Sequence, residues 1–349
     1  MIRRRVRWAV IAPLVCLILG VGSVDAQYSY GRSRGYGDRG FYVVLEGVSA
    51  NVRNTDSVVA TSETLADFGG GINVVSPVLP NWDDEFAGRA TLGYHWASGN
   101  NLTATYWSLD ADQNASGNGP ASGFLHFAIG PPIQTGGTFV GDRASPGFFD
   151  VTTEVEAMTA DVAWSREQAI TDDFKLEWSL GFRYAEFEET MNGVYDEADS
   201  TDPAFLSVRY DAAKRNNGQM VGARLAVRGS YRVLTRYSVA AGLGFSVLDG
   251  ELKARSSLRP SGTVNSLTVP AAATSFTDDG RSGRILDFEA AVVWNSANDG
   301  LRVWFGWEQS TWEEIAADLV RNFPGTTAAL RERDSVSFSG YKIGAYFRF

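Results

Sequence analysis

From residue 41 onward, bulky apolar side chains occupy every second position in one segment after another. The clearest case sets Phe174, Leu176, Trp178, Leu180, Phe182 and Tyr184 against Lys175, Glu177, Ser179, Gly181 and Arg183. Extended backbone turns successive side chains to opposite faces, so a period of two marks a strand with one greasy and one polar face. Val221, Ala223, Leu225 and Val227 repeat the pattern, as do Val239, Ala241, Leu243, Phe245 and Val247. Ten such segments are predicted, at 41–49, 86–97, 101–110, 153–166, 173–188, 218–233, 236–249, 283–295, 301–311 and 335–349. All reach the roughly 9–11 tilted residues that carry a strand across a bilayer.

The connections between these segments alternate between long and short. Residues 50–85, 111–152, 189–217, 250–282 and 312–334 are long, whereas 98–100, 167–172, 234–235 and 296–300 are short. Short periplasmic turns and long extracellular loops are the habit of an antiparallel, up-and-down transmembrane β-barrel, and an even strand count leaves both termini on the periplasmic side. The prediction is therefore an all-β barrel of about ten strands. Residues 204–211 could add a further hairpin arm and raise the count to twelve. Trp312, Ile315, Ala316, Leu319, Val320 and Phe323 recur at helical spacing, which predicts a short amphipathic helix in the last long loop, capping the rim or narrowing the mouth.

The C-terminal segment carries the pattern to the last residue. Tyr341, Ile343, Ala345, Phe347 and Phe349 share one face, opposite Lys342, Gly344, Tyr346 and Arg348. An apolar terminal edge would invite aggregation in water, whereas closing a barrel in lipid removes the edge. These five residues form the expected membrane-insertion signature. Phe41, Trp96, Trp164, Phe174, Tyr231, Tyr237, Trp294 and Phe349 all fall beside a short turn or a terminus and predict an interfacial aromatic girdle, with Phe86, Tyr184 and Trp307 starting one at the opposite end. A soluble β-sandwich would alternate too, but gives no reason for aromatics to gather at one end.

The start of the chain supports the same destination. Arg3, Arg4, Arg5 and Arg7 precede an apolar stretch from Trp8 to about Gly22, and Val24-Asp25-Ala26 suits a cleavage site, so residues 1–26 read as a signal peptide. The stretch falls short of the ~20 residues of a spanning helix and contains Pro13. Residues 27–40, rich in Gly, Ser, Tyr and Arg, read as a flexible periplasmic leader, and residues 41–349 as the barrel. The whole chain carries a net charge of −10; without residues 1–26 it would hold 27 cationic against 40 acidic side chains, or −13. Such acidity opposes nucleic-acid binding. Cys16 is the one cysteine, so the processed chain would lack disulfides and thiolate metal sites.

The polar faces of the predicted strands hold the candidates for function. Lys175, Glu177, Arg183, Arg224, Arg228, Arg232, Asp287, Glu289, Arg302 and Glu308 would face the lumen, together with Glu46, Arg89, His95, Asp161, Lys342 and Arg348. Cations outnumber carboxylates there. Arg224, Arg228 and Arg232 recur every fourth residue, a ladder with steps of about 13 Å at ~3.3 Å per residue. Two readings stand open: a water-filled path favouring anions or polar solutes, and an interior sealed by Arg–carboxylate pairs. Replacing Arg224 and Arg228 by Glu would shift an open path toward cations.

Catalytic, cofactor and metal sites are not predicted. His95 and His126 are the only histidines, neither in an evident triad, and no phosphate loop or His-Glu-x-x-His occurs. Asp83, Asp84, Glu85, Asp196, Glu197, Asp199 and Asp202 make the long loops acidic, without the spacing of a calcium loop.

Several stretches resemble the Legionella-type major outer-membrane protein family. They are Trp178-Ser-Leu-Gly-Phe-Arg-Tyr-Ala-Glu-Phe187, Val221-Gly-Ala-Arg-Leu-Ala-Val-Arg-Gly-Ser-Tyr231, Ala241-Gly-Leu-Gly-Phe-Ser-Val-Leu-Asp-Gly250, Ile285-Leu-Asp-Phe-Glu-Ala-Ala291, Gly306-Trp-Glu-Gln-Ser-Thr-Trp312 and Phe338-Ser-Gly-Tyr-Lys-Ile-Gly-Ala-Tyr-Phe-Arg-Phe349. Before residue 150 the likeness is in strand pattern alone. The resemblance implies an integral bacterial outer-membrane protein, porin-like, letting small polar solutes or ions diffuse passively, without a catalytic residue. The alternative is a non-conducting barrel that binds through its acidic outer loops. Expected partners are outer-membrane lipid and lipopolysaccharide, the barrel-assembly machinery, small solutes or ions, and further copies of the chain. Family members commonly carry cysteines, so any disulfide-linked assembly is in doubt here.

Overall fold

In the computed structural model, ten antiparallel strands close on themselves, each bonded to its neighbours in sequence and the first to the last. They are β1 (Gly40–Asn54), β2 (Glu85–His95), β3 (Asn100–Asn118), β4 (Phe148–Ala169), β5 (Phe174–Glu197), β6 (Val208–Leu234), β7 (Tyr237–Ser261), β8 (Ala272–Asn295), β9 (Leu301–Glu313) and β10 (Ser335–Arg348). The structure describes residues 39–54, 60–66, 72–78, 85–118, 123–127, 133–135, 138–140, 148–197, 208–261, 272–297, 300–315, 317–321, 328–332 and 335–349. The expected signal peptide and nearly all of the leader lie outside them, as do Asp83, Asp84, Asp199 and Asp202. Closure runs along thirteen paired positions between β1 and β10, from Tyr42↔Arg348 to Asn54↔Val336, so no edge is left open in the wall.

Short turns at 96–99, 170–173, 235–236 and 296–300 sit at one end of the barrel, and the long connections sit at the other. Gly99 holds a positive φ of 79°, which lets its N–H reach back to the Trp96 carbonyl at 3.0 Å. The wall residues between show their apolar face outward: Leu180, Phe182, Val221, Leu225, Leu243, Phe245, Val292, Phe305, Ile343 and Phe347 are all exposed. A run such as Phe174 to Tyr184, tilted in a barrel, covers about 25 Å of height. The aromatic residues mark its lower margin. Phe41 packs edge-on against Tyr94 at 4.9 Å, Tyr94 against Trp96 at 5.0 Å, and Trp164 against Trp178 at 4.8 Å, while Tyr237 pairs in register with Trp294. At the upper margin, Phe305 stacks on Tyr341 at 6.0 Å.

Above that belt the wall continues and its polarity inverts. On β5, apolar side chains point outward as far as Tyr184, after which Ala185, Phe187, Met191 and Tyr195 are buried inside and Glu186, Glu188, Thr190 and Asn192 face out. β6 does the same, with Tyr210, Ala212 and Met220 inside and Arg209, Asp211, Arg215 and Gln219 outside. Stretches expected as loops, 189–197 and 208–217, are thus strand, paired from Glu189↔Asn216 to Glu197↔Val208. Residues 208–211 extend β6 and add no further arm. The count is ten, not twelve.

Outside the barrel wall, Ala60–Ala66 pairs with Ile72–Val78 and Gly123–Phe127, and Ile133–Thr135 pairs with Thr138–Val140. The amphipathic helix expected after Trp312 is not formed. Trp312 is the last residue but one of β9, Glu314 turns the chain at a φ of 60°, and Ala317–Arg321 forms a strand against Ala328–Glu332. The apolar residues spaced three and four apart answer to a strand end and a hairpin, because burying Trp312 and Ile315 in the barrel interior outweighs local helical spacing.

Candidate functional site: the barrel interior

Up to the level of the apolar cluster, inner-facing side chains sort into three storeys; beyond it Glu189, Lys214 and Asn216 form a further buried polar set. At the short-turn end lie paired charges in solvent: Lys175 reaches Glu167 at 2.7 Å, and Arg232 grips Asp173 at 2.7 and 2.8 Å. His95 bonds to Asn101, and the Arg302 guanidinium lies over the Tyr346 ring, 5.0 Å from its centre. Lys175, Arg232 and Arg302 therefore belong to the rim or its approach and not to a mid-lumen filter. His126 lies on the strand Gly123–Phe127, outside the wall.

The middle storey is a layer of ion pairs that spans the lumen. Arg89 on β2 holds Glu308 on β9 with two parallel bonds of 2.8 and 2.9 Å, and Glu46 on β1 at 3.0 Å. Arg183 on β5 holds Asp161 with two bonds of 2.7 and 2.8 Å and crosses to Asp287 on β8 at 2.7 Å. Lys342, wholly buried, contacts Glu289 and lies 3.5 Å from Glu46 and 3.4 Å from Glu308. Trp304 donates its indole N–H to Glu46 at 3.0 Å, in the space that Gly344 leaves open; a Cβ there would stand 2.5 Å from the indole ring. Arg224 and Arg228 complete the set, the first 3.6 Å from Asp161 and the second 3.4 Å from Glu289. Five cations thus meet Glu46, Asp161, Asp287, Glu289 and Glu308. The cationic excess expected of the lumen belongs to the rim, and the middle layer is balanced.

The upper storey is apolar, which the sequence reading does not anticipate. One step above the charges, every strand contributes to a single buried cluster: Val48, Ala87, Trp107, Val155, Ala185, Met220, Leu248, Ile285, Trp312 and Phe338 on strands all around the barrel. Trp107, Trp312 and Phe338 meet ring against ring, at 5.3 to 6.1 Å between centres. The layers are joined, since the Trp312 indole N–H donates to Ser310 at 2.8 Å and the Ser310 hydroxyl to Asp287 at 2.7 Å. A packed layer of this kind excludes water as a soluble core does. The available signal is the change of phase in the alternation, visible at Ala185-x-Phe187 and Val48-x-Ala50-x-Val52.

Below the apolar storey a cavity of about 240 Å³ remains, bordered by Thr103, Ser179, Arg224, Arg228, Gly242 and Gly244 among others. Exposure of the arginine side chains rises down β6, from 21 % at Arg224 to 40 % at Arg228 and 53 % at Arg232. The interior therefore opens toward the short turns and is blind above.

No family model matches this sequence, and no curated protein matches it. Solved structures of similar architecture include the outer-membrane protease OmpT of Escherichia coli, 9% identical, covering 89% of this chain and 97% of that one at a TM-score of 0.44. OprG, an outer-membrane protein of Pseudomonas aeruginosa, is 11% identical over 90% of this chain and 99% of its own, at 0.31. A major outer-membrane protein of Thermus thermophilus is 11% identical over 88% and 99%, at 0.30.

Proposed function

We propose that this protein is an integral bacterial outer-membrane barrel whose interior is shut at mid-height, a surface-presented structural or binding barrel and not a pore open at rest. One observation carries the reading: all ten strands feed the apolar layer around Trp107 and Trp312, directly above the layer of ion pairs. Hydrated ions meet there both a dry barrier and a set of charges already neutralised by partners. The exposed belt with its aromatic margin supports a bilayer setting, with short turns in the periplasm and the tall, polar-sided extension beyond the outer leaflet. In this reading lipopolysaccharide meets the upper belt, and the C-terminal Tyr341 to Phe349 pattern addresses the assembly machinery. The resemblance to the Legionella-type family implies a pore and speaks for the second reading below. No catalytic role is assigned.

A second reading, a gated porin-like path, draws on the 240 Å³ cavity and on the cross-lumen bonds of Arg183 and Arg89, which would have to break together for small solutes to pass. Refolded protein in a planar bilayer decides between them. The closed barrel gives no steps above leak at any moderate voltage; steady, step-like conductance of the unmodified protein sinks it, and voltage-dependent openings favour the gate.

A further inference from the structure

Arg224 and Arg228 differ from the other arginines of the middle layer in what they bond. Arg89 and Arg183 each donate three hydrogen bonds to carboxylates. Arg224 and Arg228 sit near Asp161 and Glu289, at 3.6 and 3.4 Å, yet neither donates a hydrogen bond to any described residue, and the buried Nε of Arg224 has no acceptor. A guanidinium offers five donors in a planar fork suited to an oxyanion, so Arg224, with one buried donor unmatched, and Arg228, open to the cavity, leave binding capacity on one wall.

The neighbouring wall is built to leave space. Beside them on the β6–β7 pair, the inner positions of β7 are Gly242 and Gly244, paired in register with Arg228 and Ala226. A Cβ added at Gly244 would stand 3.3 Å from Nη2 of Arg224 and 3.2 Å from Asp287, and one at Gly242 only 2.9 Å from Glu289. The two glycines keep open the cavity into which both arginines look. Thr103 and Ser179 border the same space, and exposure rising down β6 from Arg224 to Arg232 opens it toward the short turns. A water takes about 30 Å³ in the liquid, so 240 Å³ suits a small solute and not a chain of sugars or residues.

We infer that this blind vestibule is a binding site for a small oxyanion, a carboxylate or phosphate carried by a low-molecular-weight solute, held by Arg224 and Arg228. The site rests on the closed-barrel reading, because the apolar layer is what gives the vestibule its closed end. Neighbouring carboxylates limit the charge a ligand brings: Asp161, Asp287 and Glu289 face the arginines, and Glu177, held by Ser165 at 2.6 Å, pairs in register with Arg228. A monoanionic group with a neutral or cationic remainder fits this balance better than a multiply charged one.

The test is calorimetric titration of the full chain, folded in detergent micelles, with inorganic phosphate, acetate and glycine as separate probes at low ionic strength. Saturable binding of any one of them is expected. Arg224→Met is expected to weaken it at least roughly tenfold, the loss of two charge-assisted bonds. Gly244→Val, which fills the space and leaves both arginines, is expected to do the same. Arg232→Met, at the rim and already bonded to Asp173, should leave binding unchanged. Phosphate binding without the others, or the reverse, identifies the oxyanion. Absence of saturable binding by all three, or binding indifferent to both Arg224→Met and Gly244→Val, overturns the site. Conductance of the same preparations keeps the two proposals apart: no binding with no conductance removes the site alone.

Discussion

Arg183 and Asp287 stand on strands three apart around the wall and close on each other at 2.7 Å, across the width of the barrel. The bond ties β5 to β8 without passing through the sheet, and Arg183 is held in place by both oxygens of Asp161. Charge pairs buried this deeply are costly to assemble and more costly to break singly, because the remaining partner cannot return to water.

Asp287→Ala leaves Arg183 with Asp161 alone and frees the Ser310 hydroxyl. Destabilisation of about 1.5–3 kcal/mol is expected, the range for a hydrogen bond to a charged group, since the bond is part-buried and a quarter of the Asp287 side chain is exposed. Urea unfolding in micelles, followed by tryptophan fluorescence, measures it. A change below about 1 kcal/mol would place the pair in solvent, as exposed bridges are.

Trp312→Ala removes one of the two tryptophans of the apolar layer. Large-to-small changes at such a site cost about 3–5 kcal/mol, and part of that reflects the hole left behind. Pairing it with Trp107→Ala is expected to admit water and ions, so that planar-bilayer recordings show current steps absent from the unmodified protein. Silence from the double variant would mean that the ion-pair layer alone suffices as a seal.

The inversion of polarity along β5 gives a paired test. Leu180→Arg, midway along the outward apolar belt, should lower folding stability in liposomes by about 2–4 kcal/mol, as a charge near the bilayer centre does. Thr190→Arg, on the same outward face but above the belt, should stay within about 0.5 kcal/mol. Equal effects would put the hydrocarbon boundary at a different height on the wall.

Backbone hydrogens in 186–197 and 208–217 are expected to exchange slowly, like those of the belt, since they bond along the β5–β6 pair. Exchange within seconds would return these residues to loops.

The ten segments and the face each shows to the outside are legible in the sequence because lipid imposes one rule on every outward position, and Leu180 or Phe305 obeys it regardless of its neighbours. What stays hidden is governed by long-range packing. Val48, Trp107, Ile285 and Phe338 come together from strands far apart in sequence, and nothing local to any of them announces the meeting. Alternation alone makes the strands too short for a related reason: at Glu186 and beyond, the outward face turns acidic, which in isolation resembles a solvated loop. Trp312 and Ile315 read as helical because spacings of three and four satisfy both periods over so few residues. Among the proposed lumen residues, Arg183, Asp287, Glu289 and Glu308 do meet in one layer with Arg224 and Arg228, whereas Lys175, Arg232 and Arg302 lie nearer the mouth because their strands run on below it.

Zipping β1 to β10 does more than complete the circle. Val48 and Phe338 approach from the two sides of that seam, so the oily plug of the interior is finished only when the last strand docks, and a barrel left ajar would be flooded along its whole axis. Closing the wall and drying the interior thus depend on the same seam.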